Sequence, residues 1–285
     1  MKTTKQILSV GMAILTIFIA LYLVFGIAAP ALSATLSAFV AAAGTPTPPP
    51  GDEIPLKPIE DLTSLNATIN LDVNGLINGE RSQGDLTALL TTNDQGETQI
   101  TVTGSLLGDI AAQVGGSIVG LFTPSKVDIY KVPEGTYIVV NGLFPLCIKP
   151  KSTKATAALE ELSPQSLLSM VTSSDVARGE FIGEGKLNGK SVKHYVLNGD
   201  AFLAAAQKSH NSKLRSFSKS LWDAEDADLY VDSPSGYPVA FRGSYSGTYE
   251  PLEFEGDFEM QIELTGINTN TAVNLPSSCN KPISR

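Results

Sequence analysis

Apolar and polar residues alternate without a break from Leu252 to Leu264 (LEFEGDFEMQIEL). Leu252, Phe254, Gly256, Phe258, Met260, Ile262 and Leu264 share one parity. Glu253, Glu255, Asp257, Glu259, Gln261 and Glu263 share the other. Period two over this length predicts a strand with one dry and one wet face. At about 3.4 Å per residue it would run roughly 44 Å, more than twice the usual strand. A strand that long twists and curls, and its sheet acquires a concave apolar face that something must fill.

The same one-sided pattern recurs upstream. Leu65, Ala67, Ile69, Leu71 and Val73 alternate with Asn66, Thr68, Asn70 and Asp72, and Asn74-Gly75 and Asn78-Gly79 supply turn chemistry. Leu86, Ala88 and Leu90, the turn Asn93–Gly96, then Ile100 and Val102 continue an antiparallel meander, because connections this short cannot join parallel strands. Pro133-Glu134-Gly135 and Asn188-Gly189 predict two more hairpins, and Asp228–Val231 and Tyr237–Ser244 two further strands.

Helical spacing replaces alternation in Ser105–Phe122, where Leu107, Ile110, Ala111, Val114, Ile118 and Leu121 recur. Four glycines in that stretch each weaken a helix by about 1 kcal/mol relative to alanine. Two readings stand: a helix filling the hollow of the sheet, or a mobile apolar wall that admits a ligand. Further helices are expected at Lys154–Leu162, at Pro164–Val171 with Ser163 as N-cap, and at Ala201–Lys208 with Asp200 as cap. Asn211–Leu221 reads as a solvated basic face. Strands and helices in separate blocks, joined by hairpins, define an α+β fold: a long, strongly curved antiparallel sheet with a few helices on its concave face.

The N-terminus differs from all of this. Lys2 and Lys5 precede a run free of charged residues, within which Ile7–Ala29 is long and apolar enough to cross a bilayer core of about 30 Å. Two lysines before it and acidic residues after it place the remainder outside the cell membrane. An uncleaved transmembrane helix is favoured. A cleaved signal peptide, with small-residue sites at Leu32-Ser33-Ala34 and Ala41-Ala42-Ala43, is the rival. The chain therefore divides into an anchor or signal segment (1–43), a proline-rich linker (44–58) and one domain (59–285). Proline as dense as in Thr45–Pro58 makes a semi-rigid spacer.

The net charge is −9, and losing Lys2 and Lys5 takes it to −11. That disfavours nucleic acid and anionic headgroups as partners but leaves apolar ligands open. The two cysteines, Cys147 and Cys279, read as one disulfide in an oxidising compartment. Neither has the neighbours of a metal site.

Gly185–Leu197 (GKLNGKSVKHYVL), Asp228–Phe241 (DLYVDSPSGYPVAF) and the long acidic strand follow one another in a familiar order. "LYVD", a Ser-Gly turn and "YPVAF" resemble the closing half of the LolA/LppX-like superfamily of exported bacterial proteins, and the element order does so over most of Leu65–Ile267. The resemblance implies an antiparallel half-barrel plugged by helices that holds lipid or acyl chains and moves them across the cell envelope. One departure is plain. Lipoprotein members carry an acylated cysteine after the signal segment, whereas here the first cysteine is Cys147, so a transmembrane helix and spacer would serve instead.

Catalytic constellations are sought without success. Gly183–Ser191 lacks the first glycine of a phosphate loop, and Tyr245 occupies the nucleophile position of Gly243–Gly247. Of the two histidines, His194 reads as a satisfied sheet residue and His210 as exposed. Asp223, Glu225, Asp226 and Asp228 miss calcium-loop spacing and read as a solvated turn, and Trp222 reads as core. Asn66-Ala67-Thr68 matches a glycosylation acceptor in mid-strand. No catalytic residue, metal or cofactor is assigned, and the expected activity is binding, not catalysis. The expected ligand is a lipid or another apolar small molecule, lined by Leu107, Ile110, Val114, Ile118, Phe254, Phe258 and Ile262. The alternative is a cell-surface scaffold with a filled core and an envelope protein as partner.

Overall fold

The computed structural model describes residues 51–77, 79–107, 124–142, 144–149, 176–210, 212–249, 254–269 and 271–284. The expected helices at 154–162 and 164–171, most of 105–122, and the apolar run Ile7–Ala29 lie outside these residues. Among the described residues no helix is long and apolar enough to cross a membrane. The described chain is mostly β. Its strands are β1 (Asp52–Glu53), β2 (Leu65–Ile77), β3 (Glu80–Thr92), β4 (Thr98–Thr103), β5 (Lys126–Val132), β6 (Gly135–Asn141) and β7 (Pro145–Lys149). They continue with β8 (Arg178–Leu187), β9 (Lys190–Leu197), β10 (Leu221–Ala224), β11 (Ala227–Asp232), β12 (Pro238–Tyr249), β13 (Phe254–Ile267) and β14 (Ile283–Ser284). Two α-helices, α1 (Gly199–Ala206) and α2 (Ser212–Lys219), separate β9 from β10.

All strands join one open sheet in the order β1-β8-β9-β11-β12-β13-β2-β3-β4-β5-β6-β7-β14, with β10 beside β12. Every pairing is antiparallel except β7 with β14. The long acidic strand is the middle of this sheet. β13 pairs with β12 from Tyr249↔Phe254 to Ala240↔Glu263, and with β2 from Leu76↔Glu255 to Leu65↔Ile267. Met260, Ile262 and Leu264 are buried, whereas Glu255 and Asp257 are exposed, as the alternation requires. The sheet coils: Asn188, at the tip of the β8–β9 hairpin, donates from Nδ2 to Glu263 Oε1 of β13, three places along the sheet order.

The inner faces share one core that includes Ile69, Leu71, Ile100, Ile138, Leu229, Phe241 and Ile262. A second, smaller core lies on the other face of β5–β7, where Tyr130, Tyr137, Val139 and Cys147 meet Val273 and Cys279 of the C-terminal segment. The Cys147–Cys279 disulfide closes this cluster across a sequence separation of 132. Asp128, buried on the same face, is held by Thr101 Oγ1 (2.7 Å), Asn141 Nδ2 (2.8 Å) and Lys126 Nζ (2.9 Å).

Several local expectations change. The proline-rich stretch is packed from Asp52 onward. Asp52 and Glu53 pair with β8, Ile54 is buried in the main core, and Lys57 N–H donates to Gly236 O. Apolar side chains at alternate positions outweigh the stiffness of proline there. Asn74-Gly75 is strand, not turn; the reversal falls at Gly79, whose φ of 76° suits glycine. The cap of α1 is Asn198, which accepts from Ala201 N–H at 3.0 Å, and Asp200 lies in the first turn. The basic stretch is a helix with Leu214 fully buried. Trp222 is 54 % exposed, because Leu221 takes the inward place on β10.

Candidate functional site

The inner face changes character at one end of β12, β13 and β2. Registered pairs place Tyr245 beside Phe258, Phe258 beside Val73 and Val73 beside Gly84. Next along the strands, Gly247 pairs with Gly256, Gly256 with Gly75 and Gly75 with Ser82. A Cβ on Gly75 would lie 2.4 Å from Glu255 O, and one on Gly256 would lie 2.5 Å from Gly75 Cα, so these backbones approach closely only as glycine. Two side chains lie down on the bare row: Phe254 over Gly75 and Leu221 over Gly247.

Aromatic rings run across this end. Phe202 of α1 is 6.1 Å from Tyr245, Tyr245 stacks on Phe258 at 5.4 Å, and Phe258 meets Phe254 edge-on at 6.5 Å. Phe202 and Tyr245 are buried, Phe258 and Phe254 half-buried. Burial holds the Tyr245 hydroxyl well above the ordinary phenol range, so it stays protonated. The opposite, wet face of the same strands carries a groove of about 560 Å³ lined by six carboxylates, Asp72, Asp85, Asp223, Glu225, Asp257 and Glu259, whose strand neighbours Val73, Tyr245 and Phe258 turn inward. Hydrogen bonds from Ser105 hold Asp85 below the usual carboxylate range, and those from Gln261 and Arg242 do the same for Glu259.

Of the residues expected to line a ligand site, Phe254 and Phe258 come together here. Ile262 lies further down β13, fully buried between Phe241 and Ile69 of the adjoining strands. Leu107 is fully buried after β4. Ile110, Val114 and Ile118 lie outside the described residues. Sequence reading missed Tyr245, Phe202 and the glycine row. The signal for Tyr245 was present, since Phe241, Gly243, Tyr245 and Gly247 alternate with polar residues as β13 does.

Elsewhere among the described residues, polar side chains pair with one another. His194 Nε2 is 2.6 Å from Asp228 Oδ1, and its ring stacks on Tyr230 at 4.6 Å. Asp226 accepts from Gly199 N–H at the start of α1, and Asn66 Nδ2 donates to Thr271 Oγ1. Among the described residues no group of three or more His, Cys, Asp or Glu is placed to hold a metal ion.

No protein-family model matches this chain, and no curated protein matches it. Among solved structures, LprF from Mycobacterium bovis aligns over 76 % of this chain and 90 % of its own, at 10 % identity and a TM-score of 0.40. A DUF1329 family protein from Desulfovibrio piger aligns over 75 % of this chain and 89 % of its own, at 8 % identity and a TM-score of 0.23. A putative outer membrane lipoprotein-sorting protein domain from Vibrio parahaemolyticus covers 74 % of this chain and 87 % of its own, at 8 % identity and a TM-score of 0.23. Similarity at these scores assigns no function.

Proposed function

We propose that the packed domain is a non-catalytic, extracytoplasmic binder of a lipid or another apolar ligand, held at a membrane through Ile7–Ala29. The observation that supports this reading is the aromatic row Phe202–Tyr245–Phe258–Phe254. It passes from buried to half-buried rings at one end of the inner face of β12 and β13. Half-buried aromatic surface is unfavourable in water, and an apolar ligand removes it from water. The test is mass spectrometry of organic extracts from the purified full chain. A stoichiometric lipid is expected. A lipid-free protein that is stable and recovers a protein partner in cross-linking would favour the scaffold reading instead.

Movement of the ligand across the cell envelope is the fuller form of the proposal. It requires that labelled lipid pass between two vesicle populations faster when the protein is present in one of them. Equal rates with and without protein would restrict the role to holding or presenting the ligand.

A further inference from the structure

β8 lies at one edge of the sheet, and β1 covers only its first two residues. Asp52 and Glu53 pair with Gly179 and Arg178, and among the described residues no strand continues that pairing along Glu180–Leu187. Pro48, Pro49 and Pro50, which precede β1 in the chain, have no N–H with which to extend it. The β8–β9 hairpin turns through two residues, Asn188 and Gly189. In such a hairpin the closing pair is hydrogen-bonded and alternate pairs follow it, so Leu187, Gly185 and Gly183 bond across to Lys190, Val192 and His194. The N–H and C=O groups of Glu184 and Lys186 therefore point out of the free edge, and both residues are exposed. Gly185 between them has no reason inside the domain to be glycine: its φ is not positive, and a Cβ built on it meets nothing within 4 Å. Gly183 is equally open. Glycine weakens a strand, and one kept inside a strand marks the close approach of another body.

We propose that this edge pairs antiparallel with the same edge of a second copy of the chain, about a twofold axis through Gly185, so that the two sheets run on into one. In that register Glu184 of each copy lies opposite Lys186 of the other, and these outward-facing residues form the hydrogen-bonded pairs. Leu187 of each copy lies opposite Gly183 of the other, a large side chain against none. The two Gly185 residues meet at the axis as a non-hydrogen-bonded pair, with Cα atoms about 4.5 Å apart. Other registers fit worse. An axis at Glu184 or at Lys186 sets like charges face to face. An axis at Gly183 carries the pairing into the bulge between Phe181 and Gly183. An axis between two residues pairs outward-facing groups with inward-facing ones. Lysine on a bare edge ordinarily keeps other strands away, and Glu184 of the second copy removes that obstacle. The pairing does not depend on the ligand reading above. Five residues of strand bury less than the roughly 1,200 Å² of a stable interface, so the dimer is weak and concentration-dependent.

The test uses the purified full chain in detergent; its two cysteines are joined to each other. The thiol introduced by Gly185→Cys would face its own copy across the axis, inside the Cα separation of about 4.4–6.8 Å that a disulfide spans. Mild oxidation should link Gly185→Cys into dimers about tenfold faster than Glu180→Cys, which is exposed on the same strand beyond the bulge. With glycine kept at 185, sedimentation should show dimerisation weakened about fivefold by Lys186→Glu, which turns two attractive pairs into repulsive ones. The double reversal Glu184→Lys with Lys186→Glu should restore it, since every pair is then exchanged and none lost. Equal cross-linking at 185 and 180 would overturn the pairing. So would a chain that sediments as a monomer at every concentration, or a double reversal that recovers nothing the single one lost.

Discussion

The middle of the sheet and the strands towards one of its ends bury their surfaces differently. β5 and β6 are dry on both faces: Val127, Ile129 and Ile138 enter the main core, while Tyr130, Tyr137 and Val139 enter the second core under the C-terminal segment. β12, β13 and β2 are dry on one face, wet on the other, and end in half-buried aromatic rings over a row of glycines. The first region is closed by a disulfide and a packed tail; the second keeps half-buried aromatic surface on its inner face. The contrast separates stability from binding. Where both faces are filled there is nothing left to bind, and where a face is filled only in part a ligand can complete it.

The largest test of that separation is the disulfide. Replacing Cys147 and Cys279 together by alanine should cost up to about 4–5 kcal/mol on the chain-entropy model, read as a lowered urea midpoint. Lipid recovered per folded protein should not change. A loss of lipid without a loss of stability would place binding at the clamped end and break the comparison.

Gly256→Ala probes the middle of the sheet. Its Cβ would enter the backbone of β2, and a cost of about 2–4 kcal/mol is expected in thermal or denaturant unfolding. A neutral effect would mean that the two strands do not approach as closely as the glycine pair requires.

Phe258→Ala sharpens the contrast within a single sheet. A half-buried ring should cost about 1–2 kcal/mol of stability, below the 3–5 kcal/mol typical of a fully buried one such as Phe241. Lipid occupancy should fall further in Phe258→Ala than in Phe241→Ala. The reverse order would identify Phe258 as ordinary core.

The smallest effect is that of pH. Asp85 and Glu259 titrate below their usual range in the folded chain, so the unfolded chain binds protons first as pH falls. Their contribution is present above the unfolded carboxylate pKa of about 4 and is lost as pH drops through the lower folded values. Both groups are largely solvated, so the loss should be a shallow decline in melting temperature between about pH 5 and pH 3. Asp85→Asn should flatten it. A steep transition would point to a buried carboxylate instead.

Much of the sheet could be read from alternation. The strand around Phe258 to Leu264, its partner Leu65–Val73 and the hairpin at Asn188-Gly189 need only local parity and turn chemistry. The cysteine pair followed from there being two. Asn74-Gly75 misled because the same dipeptide serves a turn or a close strand crossing, and the choice belongs to Gly256, far away in sequence. Trp222 misled because a large apolar residue is buried only if its parity points inward, and Leu221 holds that place.

By itself, the amino-acid order determined which residues alternate, which face of each strand is apolar, and that the chain is acidic with one cysteine pair. Local spacing controls those properties, and they survive any arrangement of neighbours. Only the tertiary structure decided that three glycines stand side by side, that the rings of Phe202, Tyr245, Phe258 and Phe254 meet, and that the C-terminal segment covers the back of β5–β7. Those are contacts between residues tens to hundreds of positions apart, set by strand register and sheet coiling, and no local pattern encodes them.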